Sequence, residues 1–256
     1  MQPKLLDEAT EHLKRTDRRM AQLIERVGPC TLKLRHEHSI FYSLLRSIVY
    51  QQLAGKAAAA ILGRVDALFP GALATPEQIV AATEEELRSA GLSRNKMLAL
   101  KDLAAKTLDG TVPQGGAIDE MSDEEIIERV SQVRGIGRWT VEMLLIFRLG
   151  RTDVLPLDDF GVRKGFQRTY RLPDMPTKQQ MLKKGEKWTP WRSIASWYLW
   201  RAAGEQPALK KKAAAAKGSK VVKAKRSKVA KAKRSRPAKA KSSKPSKARS
   251  SRPAKT

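Results

Sequence analysis

The chain is poor in the residues that make staples and metal sites. Of its 256 residues one is cysteine, Cys30, and three are histidine. A single thiol excludes an internal disulfide framework and any four-cysteine zinc or iron–sulfur centre. It also fits a reducing compartment. His12, His36 and His38 form no recognisable metal-ligand motif. No apolar run approaches the roughly 18 residues of a membrane span. The acid-bearing start, "MQPKLLDEATEHLKRTDRRM", reads neither as a secretory signal nor as a transit peptide. Aromatics make up only 5%, yet all five tryptophans fall between positions 139 and 200. Period-2 alternation is almost absent, so the expected class is all-α.

Acidic residues are missing from one end. From Lys210 to Thr256 there are 20 Lys and Arg and no Asp or Glu. The remaining 31 basic residues face 26 acidic ones, so most of the +25 net charge belongs to this tail. The expected division is a mildly basic globular domain over 1–206 and a Lys/Arg/Ala/Ser/Pro-rich segment over 207–256. Such a composition cannot bury apolar surface and is expected to be disordered. Its cations suit a polyanion, with DNA phosphates as the expected partner.

The globular part reads as helices with short breaks. Residues 4–27 form one amphipathic stretch, with Leu5, Leu6, Leu13, Met20, Leu23, Ile24 and Val27 as candidate core. "TLKLRH" at 31–36 is short and could be extended. "HSIFYSLLRSIVYQQL" has helical spacing, and "GKAAAAILGRVDALF" follows as an alanine-rich helix. Thr75 with Pro76 marks a helix start. Thr83 with Glu86 and Ser122 with Glu125 are capping boxes. "SRNKMLALKDLAAKTLDG" runs to Gly110, and later helices are expected over 160–170, 177–188 and 190–204.

Between two of these helices stands "VRGIGRWTVEML", residues 133–144. Gly135 and Gly137 bracket Ile136 immediately before a helix start. Glycine takes positive φ and lets another backbone come close. Several N–H groups are then left at the positive end of a helix dipole, a concave site for phosphate. Arg134 and Arg138 add charge there, and Ile136 can turn inward to hold the two helices together. A plain glycine stop between two helices is the competing reading.

The run "VRGIGRWTVEMLLIFRLGRTDVLPLDDFGVRKGF" resembles the helix-hairpin-helix motif of the helix-hairpin-helix/Gly-Pro-Asp superfamily of DNA glycosylases. It is most similar to the DNA-3-methyladenine glycosylase II group. "FYSLLRSIVYQQLAGKAAAAI", "GLSRNKMLALKDLA" and "WTPWRSIASWYLWRA" fit the same group in the expected order, so the likeness spans roughly 38–204. The resemblance implies two helical subdomains with the site between them, a hairpin motif at about 123–149, and a compact form without an N-terminal β domain.

The implied activity is hydrolysis of the N-glycosidic bond of alkylated purines in base excision repair. Asp159 is the implied catalytic carboxylate, its neighbour Asp158 being left to cap the helix near Phe160. Trp139, Met143, Trp200 and Trp197 are the implied pocket for a flipped base, with Met143 standing where relatives often carry tyrosine. Leu53 beside Gln52 is the implied wedge into the duplex. Arg134, Gly135, Gly137, Arg138 and Thr140 are the implied phosphate-binding hairpin. Relatives that also cut the backbone carry a lysine where this chain has Trp139, so a monofunctional enzyme is implied. No cofactor is required. A structural monovalent cation at the main-chain oxygens of Ser131, Val133 and Ile136 fits the resemblance, and no side-chain metal site is evident.

The expected partner is double-stranded DNA with alkylated bases, bound by a monomer without membrane contact. The expected location is intracellular and DNA-associated, with bacterial cytoplasm and nucleoid preferred to a nucleus. Composition alone also fits a non-catalytic architectural DNA-binding protein, and a glycosylase for another lesion class is a further alternative.

Overall fold

The computed structural model describes residues 1–35, 38–71 and 73–204; the basic segment and the boundary expected before it lie outside them. All regular structure among the described residues is helical. The first long amphipathic stretch is two helices rather than one, α1 (Pro3–Thr16) and α2 (Arg18–Val27). Asp17 breaks it. Its backbone is extended, and its Oδ1 accepts the amides of Arg19 and Met20 at 2.9 and 3.2 Å. An acceptor that reaches the next helix's free amides favours a new N-cap over a continued helix. The apolar periodicity runs through the break, so spacing alone did not reveal it.

Then follow α3 (Ile40–Tyr50), α4 (Gly55–Asp66), α5 (Pro76–Ala81), α6 (Glu84–Ser89) and α7 (Arg94–Leu108). The caps at Thr75, Thr83 and Ser122 all form, each as a full capping box. α8 (Asp123–Val130) leads through the glycine joint to α9 (Arg138–Leu144), which continues as a π-helical turn, Leu145–Leu149. α10 (Phe160–Tyr170), α11 (Lys178–Gly185) and α12 (Arg192–Gly204) complete the order. Residues 31–35 form no strand; the Arg35 amide donates to the carbonyl of Phe147 in the π turn, at 2.8 Å.

The helices fall into two groups. α1, α2, α10 and α12 pack on one another, while α7 packs against α3, α5 and α6, with α9 against α3 and α8. One apolar cluster runs through both, including Leu13, Met20, Leu44, Ile48, Leu103, Val141, Ile194 and Tyr198. The α10–α12 crossing depends on Gly165. A Cβ there would lie 1.9 Å from the Leu199 carbonyl oxygen, so no other residue fits without separating the helices. One turn earlier Gly161 leaves room for the Trp200 ring, whose Cδ1 would stand 2.7 Å from a Cβ. This close crossing places the start of α10 against the end of α12, where the two groups of helices meet.

Candidate active site

Asp159 enters this junction as the N-cap of α10. Its Oδ1 accepts the Val162 amide at 2.7 Å. The cap therefore belongs to Asp159 and not to Asp158, because the helix starts at Phe160 and only the residue directly before it reaches the third amide. Asp158 is exposed and pairs with Lys178 Nζ at 2.6 Å. Two indoles complete the setting of Asp159. Trp139 Nε1 donates to Oδ2 and Trp200 Nε1 to Oδ1, each at 2.8 Å. All three partners donate, the pattern that a carboxylate accepts. Oδ1 uses both lone pairs, and Oδ2 keeps one. The residue is only 8% exposed.

Around this carboxylate α9 presents one stripe. Trp139, Met143 and Phe147 recur at a spacing of four. Trp139 is 46% exposed at the first turn. Phe147, in the π turn, stacks on Trp200 with centroids 5.5 Å apart and planes at 30°. A cavity of about 810 Å³ opens beside them, lined by Met143, Phe147, Trp197 and Trp200 together with Arg35 and Arg46. Trp139 and Asp159 are not part of its lining; Trp200 joins them to it. Trp197 is buried, and the Arg201 guanidinium covers its ring at 3.3 Å. Trp188 is wholly buried and Trp191 packs on the core. Phe147 and Arg35 were not singled out in the sequence. The i+4 relation to Met143 was a usable signal for Phe147. For Arg35, whose guanidinium lies 5.8 Å from the Phe147 centroid, there was none.

Glu142 is a second carboxylate that the sequence did not flag. It is 5% exposed, and its nearest cation, Arg138 Nη1, is 3.9 Å away. Burial pushes its carboxyl up to about 7, Arg138 opposing and the charges of Asp158, Glu124 and Asp159 adding to the rise.

The segment expected to hold the wedge is a tight turn after α3. The Leu53 amide donates to the Tyr50 carbonyl at 3.4 Å, and Gln52 between them has φ +59°. A left-handed residue at this place normally calls for glycine or asparagine. Glutamine there stores strain on the order of 1–3 kcal/mol. Leu53 is 39% exposed at the tip.

In the joint between α8 and α9 only Gly135 is left-handed, at φ +77°. Gly137 is extended, with φ −103° and ψ 172°, and serves as N-cap of α9. One left-handed residue suffices to reverse the chain, so φ does not require glycine at 137. A Cβ there would meet nothing within 4 Å and would point into the open. Val133 and Ile136 are buried and tied by an Ile136 amide to Val133 carbonyl bond of 3.0 Å. Arg134 is exposed, its amide bonded to Asp102 Oδ2 at 2.7 Å. Two members of the expected phosphate set are differently engaged. Arg138 is ion-paired with Glu124 at 2.6 Å, and Thr140 is buried with its amide on the Gly137 carbonyl. Ser131 Oγ is buried without a partner. Among the described residues no group of three or more His, Cys, Asp or Glu could hold a metal ion. No helix among them is long and apolar enough to cross a membrane.

Residues 45–190 match the family described as "HhH-GPD superfamily base excision DNA repair protein", a span that holds the turn at Leu53, the glycine joint and Asp159. The chain belongs to this superfamily. It is 41% identical over 200 residues to DNA-3-methyladenine glycosylase 1 of Schizosaccharomyces pombe, covering 77% of this chain and 88% of that one. Among solved structures it is similar to a 3-methyladenine DNA glycosylase of the same yeast in complex with abasic DNA, at 40% identity and TM-score 0.66 over 76% of this chain and 95% of that one. It is also similar to a DNA-3-methyladenine glycosidase from Bacillus halodurans, at 36% identity and TM-score 0.71 over 77% and 89%. The all-helical architecture is that of the HhH-GPD fold.

Proposed function

We infer that this HhH-GPD protein is a DNA glycosylase of base excision repair. It hydrolyses the N-glycosidic bond of alkylated purines of the 3-methyladenine and 7-methylguanine type. The observation that carries the reading is the Asp159 carboxylate, held by the Trp139 and Trp200 indoles beside an aromatic cavity. Breaking the bond to C1′ sends its electron pair to the base and leaves oxocarbenium character on the sugar. A fixed, buried anion lowers that barrier. The remaining lone pair of Asp159 Oδ2 is the acceptor for an attacking water, which adds its oxygen to C1′ and gives up a proton.

The base must leave the duplex first. Leu53 enters the gap, and the exposed face of Trp139 with the Phe147–Trp200 stack receives the base. Methylation at N3 or N7 makes the purine cationic, so the aromatic faces attract it by about 0.5–2 kcal/mol per contact. Gly135, Gly137 and Arg134 take a phosphate at the N-terminus of α9. The carbonyls of Ser131, Val133 and Ile136 are neutral oxygen donors beside the unpartnered Ser131 Oγ, a set that suits a monovalent cation. The enzyme acts as a monomer on intracellular DNA, with the basic segment from 207 as a tether to phosphates.

The product is an intact strand bearing an abasic site. A Schiff-base lyase needs a lysine at the carboxylate, where this chain has Trp139, and Lys164 on α10 donates to Gln167 at 2.7 Å. Incubation with methylated duplex followed by alkali reveals the abasic sites, and borohydride added during turnover traps no protein–DNA adduct. A trapped adduct contradicts the monofunctional assignment.

A further inference from the structure

Helix α7 touches both elements that the proposed function places on DNA. Near its start Lys96 Nζ donates to the carbonyls of Val49 and Gln51, at 2.6 and 2.8 Å. The first is a last-turn carbonyl of α3 and the second that of its C-cap, directly before the strained Gln52 and the exposed Leu53. A cation on a helix C-terminus answers both the unpaired carbonyls and the dipole. Two turns on, Asp102 Oδ2 accepts the Arg134 amide at 2.7 Å, at the head of the glycine joint. Lys106 holds the same carboxylate at 2.7 Å. A third bond closes the triangle, since Gln51 Nε2 donates to the Gly135 carbonyl at 3.0 Å.

We propose that α7 is a strut that fixes the Leu53 turn and the hairpin relative to each other, with Lys96 and Asp102 as positioning residues and Gln51 as the cross-link between the two elements. Lys96 acts through Leu53. Without its bonds to the α3 end, the left-handed Gln52 relaxes and the wedge tip loses its fixed place. Asp102 acts through the hairpin, because the amide it holds belongs to the residue before Gly135. A wedge that enters the stack while the hairpin grips a phosphate needs a set distance between the two, and a rigid helix of Arg94–Leu108 supplies it. This rests on the proposed role of Leu53 as a wedge, so the test reads extrusion and binding separately from bond cleavage.

The experiment uses the full chain and a duplex with one abasic site flanked by 2-aminopurine, whose fluorescence rises on unstacking. Lys96→Met is made alone and in a Leu53→Ala background; Lys96→Arg and Asp102→Ala are made alone. Melting curves establish that each is folded. Leu53→Ala lowers the fluorescence rise at saturation. Lys96→Met lowers it comparably in the Leu53 protein and adds less than about twofold in the Leu53→Ala background, the sign of coupled residues. Lys96→Arg restores most of the signal, since it keeps donors for both carbonyls. Asp102→Ala weakens binding to undamaged and abasic duplex alike, by about tenfold, and also lowers the saturated fluorescence, because the hairpin end of the strut is released. The strut is overturned if Lys96→Met costs the same factor with and without Leu53, or if Asp102→Ala leaves binding unchanged. If Lys96→Met does not fold, Lys96→Arg decides: loss of the signal in a folded Lys96→Arg protein contradicts a role carried by the two carbonyl bonds. A wild-type protein that unstacks this duplex but releases no methylpurine would instead contradict the proposed function and leave the strut standing.

Discussion

Trp139 and Trp200 converge on one carboxylate, each indole N–H 2.8 Å from a different oxygen of Asp159. They come from opposite helix groups, α9 and α12, so the site exists only when both groups are assembled. Replacing either by phenylalanine keeps an aromatic face and deletes one donor. A hydrogen bond to a charged group contributes about 1.5–3 kcal/mol, so Trp139→Phe and Trp200→Phe should each slow single-turnover excision roughly tenfold or more. Rates equal to wild type in both variants would show that the indoles serve only as surfaces.

Gly135 and Gly137 should separate folding from binding. Gly135 is left-handed, and a Cβ there would stand 3.7 Å from Ala99 Cβ. Gly135→Val should destabilise the fold by about 1–3 kcal/mol, read as a lowered Tm. Gly137 is extended with open space before it, so Gly137→Val should melt near wild type and bind all DNA sequences more weakly. Unchanged affinity of Gly137→Val would remove the joint from the phosphate site.

Glu142 sets a pH dependence of stability. Unfolded, it ionises near 4.5; folded, burial raises it to about 7. Between those values the folded state binds the extra proton, so Glu142 lowers stability as pH rises through this window and adds no further change above it. Glu142→Gln should leave stability near pH 4 almost unaltered and raise it above pH 7 by about 1–3 kcal/mol. Denaturant midpoints at the two pH values check this. An equal shift at both would mean that packing, not ionisation, separates the variants.

The basic segment from 207 should supply salt-sensitive affinity and no chemistry. Each duplex phosphate neutralised contributes a slope of about −0.9 in log K against log salt, and a third of the segment's cations would add roughly six. Truncation after Gln206 should flatten the salt dependence and leave the saturated single-turnover rate nearly unchanged. A collapsed rate would place part of the catalytic machinery beyond the globular domain.

Much of this arrangement was legible in the sequence because it rests on local chemistry. The capping boxes at Thr83 and Ser122 are read from two residues three apart, and both form. The glycine joint and the Asp159 region were legible through family likeness, and Asp159 does stand with Trp139 and Trp200. The rest depends on contacts far along the chain. Arg35 reaches Phe147 across more than a hundred residues, and the carboxylate of Asp102 binds the amide of Arg134. Asp17 looked like one polar position in a helix, yet its other oxygen accepts from Tyr170 at 2.6 Å, which only the folded chain brings near. Gly161 and Gly165 read as ordinary residues of a helix until α12 is laid across them. The π turn that aims Phe147 has no sequence signature of its own.

The measurement that bears most directly on the central claim is release of free methylpurine from methylated duplex by the wild type and by Asp159→Asn, under single-turnover conditions with binding to abasic DNA followed in parallel. Asparagine turns an N–H donor toward an indole N–H and removes the charge, so it should melt somewhat lower while still folding. The account predicts release by the wild type, a loss of at least about a thousandfold in the variant, and abasic-site binding largely retained. Excision by Asp159→Asn at a rate near wild type, or no methylpurine released by the wild type, would contradict it.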